Sequence, residues 1–307
     1  VKILFFSQTV DTAGLGIGMK RAFDQYGGEH SARHVRCENS WLDYGCDIQW
    51  NRDDPNQTAE VMRLWTEADC VVLIERPLAA SLFPPHPNLI VWHLGTWYRR
   101  QPELVHSQCQ AIHAREVVDM HDLMRFGVED WLPDVIDPEP LAALRADLYH
   151  ASDVVRIAHA PTDRAIKSTD VIVDVVDRLS QKYPITFDLI ERVPNAECLR
   201  RKATADIFID ELTLGYGLNA LECWSMGIPV VSGIADPETE GRMLRDFGRL
   251  PFVNATRATL ETEVEALVRD EYLRHKWGGI GQEHVERFHT PQALVARMVA
   301  CAEGVLV

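Results

Sequence analysis

No stretch of this 307-residue chain approaches the ~18 consecutive apolar residues of a membrane-spanning helix. The chain opens directly on a strand-like run, Val1 to Phe6, with no basic-then-apolar leader ahead of it. Cysteines are few and scattered: Cys37, Cys46, Cys70, Cys109, Cys198, Cys223 and Cys301 form no CxxC pair and make an odd total. Disulfide frameworks and cysteine-rich metal sites need tighter pairing. Reduced, mostly buried thiols in a reducing compartment are therefore expected, and with them a cytoplasmic location. Positive charge is also in deficit, with 31 Lys and Arg against 46 Asp and Glu, a net charge of −15, and no polybasic run. Long contacts with phosphate backbones or anionic lipid rely on basic patches, so extensive nucleic-acid binding is disfavoured. Four catalytic signatures are missing: the GxSxG elbow, HExxH, GxxxxGK[ST] and a DxD sequence. His113 and His121 show no metal-ligand spacing.

What is present is ordinary core material: 46 % hydrophobic and 25 % charged residues, the composition of a globular protein rather than a disordered or fibrous one. The length exceeds what one core usually serves and points to two α/β domains. Short apolar runs, polar or glycine-marked turns and helix-period segments follow one another, the mark of parallel βαβ construction. In the first half, strands are expected at Lys2 to Ser7, Cys70 to Glu75 and Leu89 to Leu94. The runs are apolar without alternation, as strands covered on both faces are. The segment WLPDVIDPEP, Trp131 to Pro140, carries three prolines and reads as a linker, since proline interrupts both helix and ladder.

Beyond it, strands are expected at Val155 to Ala160, Phe187 to Glu191, Ile207 to Asp210, Pro229 to Ser232 and Pro251 to Asn254. Helices are expected over Thr169 to Tyr183, Asn195 to Thr204, Leu218 to Met226 and Thr259 to Arg269, and the end of the chain has apolar residues at helical spacing. The domains so defined run over 1–140 and 141–290, followed by a terminal helix over 291–307. Doubly wound halves of this kind bind ligands at their strand C-termini, which in tandem would face a common cleft.

The stretch Asp206 to Gly233 is the most informative. A strand ends near Asp210, glycines 215 and 217 follow, a helix starts near Leu218, and Glu222 lies one turn in. Glycines ahead of a helix N-terminus let a phosphate approach free N–H groups and the positive end of the dipole. An acidic residue one turn further in is placed to accept from ribose hydroxyls.

The run GYGLNALECWSMGIPVV, with Gly215, Gly217, Glu222, Met226, Gly227, Pro229, Val230 and Val231, resembles the donor-binding signature of the retaining glycosyltransferases of GT-B fold, the group 1, family 4-like enzymes. The resemblance implies two Rossmann-like doubly wound domains, a nucleotide-sugar such as a UDP- or GDP-sugar as co-substrate, no other cofactor, and no metal for the transfer. It assigns Gly215, Tyr216, Gly217, Leu218 and Glu222 to the donor, and implies a terminal helix crossing back to the first domain. The family's second Glu is replaced here by Leu214, which makes Glu211 the candidate for its role. RIAHAPTDRAIK, Arg156 to Lys167, resembles the family's diphosphate-binding turn, with Thr162 in the turn and Arg164 and Lys167 as the cations. Such cations would stabilise charge growing on the leaving group. In LIVWHLGTWYR, His93 matches a family histidine that meets the donor sugar, with Thr96, Tyr98 and Arg99 on the acceptor side. SQTVDTAGLGIG, Ser7 to Gly18, offers Gly16 near the donor phosphate. A nucleotide-sugar epimerase of the same fold, a catalytically silent sugar-nucleotide binding module, and an enzyme modifying nucleic-acid bases or protein remain alternatives at this point. The sugar, the acceptor and the oligomeric state are open.

Overall fold

The computed structural model describes residues 1–39, 42, 44–77 and 82–305. The chain divides into two compact units, Val1–Val135 with His289–Val307, and Ile136–Phe288.

The first unit begins with β1 (Lys2–Ser7), α1 (Leu15–Tyr26), β2 (Ser31–Arg36), β3 (Ile48–Gln49), α2 (Pro55–Glu67) and β4 (Cys70–Ile74). It continues through β5 (Leu89–His93), α3 (Gly95–Arg100), α4 (Pro102–Ala111) and β6 (Arg115–Val118). The second unit holds α5 (Pro138–Leu148), β7 (Val155–His159), α6 (Thr169–Ser180), β8 (Ile185–Leu189), α7 (Asn195–Lys202), β9 (Ile207–Ile209) and α8 (Leu218–Ser225). It closes with β10 (Val230–Ser232), α9 (Pro237–Phe247), β11 (Val253–Asn254), α10 (Leu260–Arg269) and α11 (Glu271–Phe288), after which α12 (Pro291–Ala302) belongs to the first unit.

The first sheet is parallel in the order β3-β2-β1-β4-β5-β6. Its period of two divides the core: Ile3 and Phe5 of β1 face the layer containing α1 and α12, while Leu4 and Phe6 face the layer containing Trp50, Trp65 and Phe83. The terminal helix α12 lies on α1, where Leu294, Val295 and Met298 join Leu15, Met19 and Phe23. The second sheet is also parallel, in the order β11-β10-β9-β7-β8. Ile157, Ile207, Ile209 and Val231 pack beneath α6 and α10 through Ile172, Val176, Leu260 and Val264. All seven cysteines are free thiols, and no helix among the described residues is long and apolar enough to cross a membrane.

Three helices start alike. Asp54, Asp137 and Asp236 are N-caps whose carboxylates accept from backbone amides one turn in, each followed by proline at the first helical position. Proline has no amide to lose there and its fixed φ suits the helix. The segment 131–140, read as a linker or domain edge, contains the division between the units at Val135 and Ile136, and its Asp137-Pro138 opens α5. The same signature hid α2 and α9, neither of which was expected.

Candidate active site

In the second sheet, strand order reverses between β7 and β9, and the C-terminal ends at such a reversal are where open α/β sheets bind ligands. Lys167 follows β7 and Asp210 follows β9, and Lys167 Nζ lies 2.6 Å from Asp210 Oδ1. Asp210 is 1 % exposed, and its other oxygen, Oδ2, has no hydrogen-bond partner. A buried carboxylate oxygen normally has one, so this atom is an acceptor left over at the sheet's C-terminal edge beside Lys167. Behind the pair, His159 fastens the floor. Its Nδ1 donates to Ile209 C=O at 2.7 Å and its Nε2 accepts from Thr169 Oγ1 at 2.9 Å. Burial lowers its pKa to about 4, so the ring is neutral and its tautomer fixed. His159 escaped the sequence reading because a histidine at a strand end carries no distinguishing spacing.

The turn after β9 is held by Glu211. Its Oε2 accepts from Thr213 N at 2.8 Å and Thr213 Oγ1 at 2.9 Å, and its Oε1 accepts from Leu214 N at 2.5 Å. Burial pushes its carboxyl up to about 7, with Lys167 pulling the other way. Glu211, the candidate for the role of the missing Glu, thus has both carboxylate oxygens bonded within its own loop. Leu214 is half-buried and bridges to Ile234.

Gly215 takes φ +98°, a left-handed value that favours glycine, and its N–H donates to Gly233 C=O at 2.8 Å. Gly217 is different. Its backbone is extended and a Cβ there would meet nothing within 4 Å. The protein's own packing gives no reason for glycine at 217, whereas close approach of a ligand to the backbone does. Gly217 is the N-cap of α8, and the helix's internal bonds begin at Ala220 and Leu221, both donating to Gly217 C=O. The earlier amides, Leu218 and Asn219 among them, are the ones a helix N-terminus offers to an anion. Tyr216 departs from expectation: its ring is buried among Trp224, Phe247 and Phe252, and its hydroxyl lies 3.0 Å from His284 Nε2. Only its backbone remains on the turn.

Glu222 is buried one turn into α8. Its Oε1 accepts from Asn195 Nδ2 at 3.1 Å, and its Oε2 accepts from Lys202, which is wholly buried. Lys202 also donates to Asn219 Oδ1, and Asn219 Nδ2 donates to Ala160 C=O at 3.0 Å. The network ties α7, α8 and the turn after β7 together around one carboxylate. Burial pulls the Lys202 ammonium down, but the Glu222 charge outweighs it and the net direction is upward. Nothing in the sequence marked Lys202, which ends a basic stretch that reads as a solvated helix terminus. Of the remaining donor-side candidates, Thr162 is exposed and Arg164 pairs with Glu191 at 3.1 Å from a half-exposed position.

In the first unit, the reversal falls between β1 and β4. Asp11, buried after β1, accepts from Gly16 N at 2.9 Å and Ile17 N at 3.0 Å and so caps α1. A Cβ on Gly16 would stand 2.5 Å from the His34 ring, so internal packing already accounts for this glycine. Glu75, just past β4, takes φ +67° and accepts from Thr12 Oγ1 at 3.0 Å; burial pushes its carboxyl up. A non-glycine residue in that conformation at a sheet switch point is a feature the sequence reading missed.

The expectations for the loop after β5 divide. Thr96 is exposed, and Arg99 is clamped to Asp122 by two bonds of 2.7 Å. His93 and Tyr98 present no surface at all. Their rings stack at 4.1 Å, His93 Nε2 lies 2.8 Å from Glu116 Oε2, and Tyr98 Oη lies 3.0 Å from His106 Nε2. The two rings expected to meet a donor sugar and an acceptor are thus packed inward, with His106 of α4 against both.

No family model and no curated protein sequence matches the chain. Solved structures do. An α-glucosyltransferase in complex with UDP and a 13-mer DNA superposes with a TM-score of 0.69 at 11 % identity, covering 98 % of this chain and 99 % of that one. Anabaena HepE in complex with UDP-glucose gives 0.66 at 12 % identity, covering 99 % of each chain. Sucrose-phosphate synthase from Thermosynechococcus elongatus gives 0.62 at 12 % identity, covering 99 % of each. The likeness is one of architecture along nearly the whole chain, and it gives this protein the GT-B fold.

Proposed function

We propose that the chain is a retaining glycosyltransferase that takes a hexose from a UDP-sugar, with its donor site at the β7–β9 reversal. The observation that carries this is the Lys167–Asp210 pair, with its unpartnered buried Asp210 oxygen, beside a glycine turn that opens onto the N-terminus of α8. The nucleotide identity is supported by the UDP and UDP-glucose complexes among the solved structures of this fold.

In this reading, the diphosphate lies against Gly217 and the first amides of α8, where helix partial charge and Lys167 neutralise it. Arg164 supplies a second cation from its exposed position, since a surface pair such as Arg164–Glu191 is worth only ~0–1 kcal/mol and is easily exchanged. Glu222, already oriented by Lys202 and Asn195, accepts from the ribose. Asp210 Oδ2 accepts from a hydroxyl of the donor. The bond from the anomeric carbon to the diphosphate oxygen breaks, and the acceptor oxygen bonds to the same face of that carbon. The acceptor's proton passes to the departing phosphate. Lys167 and the helix amides act where negative charge develops.

A second reading, a sugar-nucleotide binding protein without turnover, is favoured by one feature. Glu211 is folded onto its own turn and position 214 is a leucine, so neither supplies the carboxylate of the family's second Glu. Calorimetric titration with UDP-glucose, followed by an assay for slow donor hydrolysis, separates the two. Binding that weakens at least tenfold in Lys167→Ala together with measurable hydrolysis supports the transferase. Binding without hydrolysis, across a panel of UDP-sugars and acceptors, supports the silent module. No binding of UDP or any UDP-sugar overturns both.

A further inference from the structure

A cluster in the first unit plays no part in the chemistry above. A ring nitrogen of His93, the sulfur of Cys109 and a carboxylate oxygen of Glu116 lie within 4.8 Å of one another. They come from three elements that pack rigidly: the end of β5, the face of α4, and β6, whose Glu116 pairs with Val91 on the adjacent strand. His93 and Cys109 are wholly buried, while the Glu116 side chain keeps 18 % exposure and so gives the cluster an edge toward solvent.

Two further observations point to a ligand. His93 Nε2 faces Glu116 while Nδ1, the other ring nitrogen, is buried without a hydrogen-bond partner, so the ring can carry its proton on Nδ1 and leave Nε2 free for a metal. The Glu116 oxygen is also held from outside the cluster. His106 Nδ1 lies 2.8 Å from Glu116 Oε2, and His106 Nε2 lies 2.9 Å from Phe126 C=O. Both His106 nitrogens face oxygens that accept, so His106 orients the carboxylate. Hydrogen-bonded support of this kind is what metal-ligating carboxylates have.

We propose that His93, Cys109 and Glu116 bind a zinc ion, with the fourth position open toward the exposed edge of Glu116. One imidazole, one thiolate and one carboxylate form a set that suits zinc and excludes the hard cations magnesium and calcium, which take oxygen ligands. Ligand atoms around a tetrahedral zinc stand about 3.3–3.6 Å apart, given bond lengths near 2.0–2.3 Å. The present separations, 2.8 Å between His93 Nε2 and Glu116 Oε2 and at most 4.8 Å within the set, reach that geometry through side-chain shifts of about 1 Å. On binding, the Cys109 thiol gives its proton to solvent and its sulfur bonds to the metal, while the proton on His93 Nε2 moves to Nδ1 and frees Nε2 as the ligand. The ion then pins β5, α4 and β6 together. The absence of any CxxC spacing hid this set, because its members are contributed by separate elements.

The test uses the full chain, stripped with a chelator and titrated with zinc or with cobalt(II) as a spectroscopic stand-in. Expected results are about one metal per chain by mass spectrometry, a thiolate-to-cobalt charge-transfer band, and a melting temperature raised by zinc. Cys109→Ser is expected to abolish the band and the bound metal, while Cys70→Ser leaves both. Should Cys109→Ser fail to fold, the wild-type spectrum and the zinc-dependent melting shift still decide the matter. A cobalt spectrum without a thiolate band, or zinc retained undiminished in folded Cys109→Ser, overturns the proposal. Neither outcome bears on the donor site, because the readouts do not involve transfer.

Discussion

Replacing Lys202 by methionine removes the ammonium from a buried ion pair while keeping most of the side-chain volume. In the native chain, the Lys202 side chain is 0 % exposed and that of Glu222 is 5 % exposed. The substitution therefore strands a carboxylate in the interior with only Asn195 to donate to it. Breaking one side of such a pair costs ~3–5 kcal/mol, most of it the desolvation of the charge left behind. For a domain of this size each kcal/mol lowers Tm by ~2–4 °C, so a fall of roughly 6–20 °C is expected in the second unit. Because the pair holds the Lys202 pKa upward, its contribution is complete below the ordinary lysine value of ~10.4. It is lost only as pH rises through the elevated one, so the effect is constant across neutral pH. Glu222→Gln in the Lys202→Met background removes the stranded charge and should recover at least ~2 kcal/mol, a coupling that independent sites do not show. The assay is scanning calorimetry of the full chain with hydrogen exchange of peptides covering α7 and α8. If Lys202→Met costs under ~1 kcal/mol, or the double variant shows simple additivity, the network does not hold these helices together.

Glu211 carries a pH-dependent contribution of the same sense but in a lower pH window. Its carboxyl is raised to about 7, so the folded chain keeps a proton that the unfolded chain releases. That contribution is full below ~4.3 and lost as pH rises through about 7, an effect of roughly 3 kcal/mol at most. Glu211→Gln should flatten the difference between urea midpoints measured at pH 5 and pH 8. In α11, a Cβ at Gly281 would stand 2.1 Å from the Trp224 ring, whereas one at Gly279 meets nothing within 4 Å. Gly281→Ala should cost ~1–3 kcal/mol or more by overpacking, and Gly279→Ala should stabilise by up to ~1 kcal/mol through helix propensity. Thermal melts of the pair check both signs. Asp11→Ala removes the acceptor for Gly16 N and Ile17 N and should cost ~0.5–2 kcal/mol, measured by urea unfolding.

Which elements were legible in the sequence follows from how each buries its surface. β1, β4, β5 and β9 are buried along nearly all their residues and read as apolar runs, while β7, VRIAH, showed through Val155, Ile157 and Ala158 despite Arg156 and His159. β2, SARHVR, was invisible, although its His34 and Arg36 are buried. Side chains and a carbonyl brought up by the fold meet them: Ser7 Oγ at His34 Nε2, and Asn39, Gly45 C=O and Gln49 at the Arg36 guanidinium. A pattern rule sees only the polarity. α2 and α9 lay behind Asp-Pro pairs, a helix-opening signal that had been weighed only as a break, as at Asp137-Pro138.

The site divides along the same line. The backbone parts of it, the glycine turn and the α8 N-terminus, were readable because a backbone that must approach a phosphate constrains residue type locally. The side chains were not, because their roles depend on what the fold brings against them. Glu211 and Glu222 are both carboxylates beside one turn, yet one folds back onto amides two and three residues away, while the other meets a lysine from a different helix. His93 ends an apolar strand just as a ligand-facing histidine would, but α4 lays Cys109 and His106 beside it and turns it inward. Position along the sequence predicts which sheet edge a residue reaches. The packing of the next helix decides whether it faces a ligand or the interior.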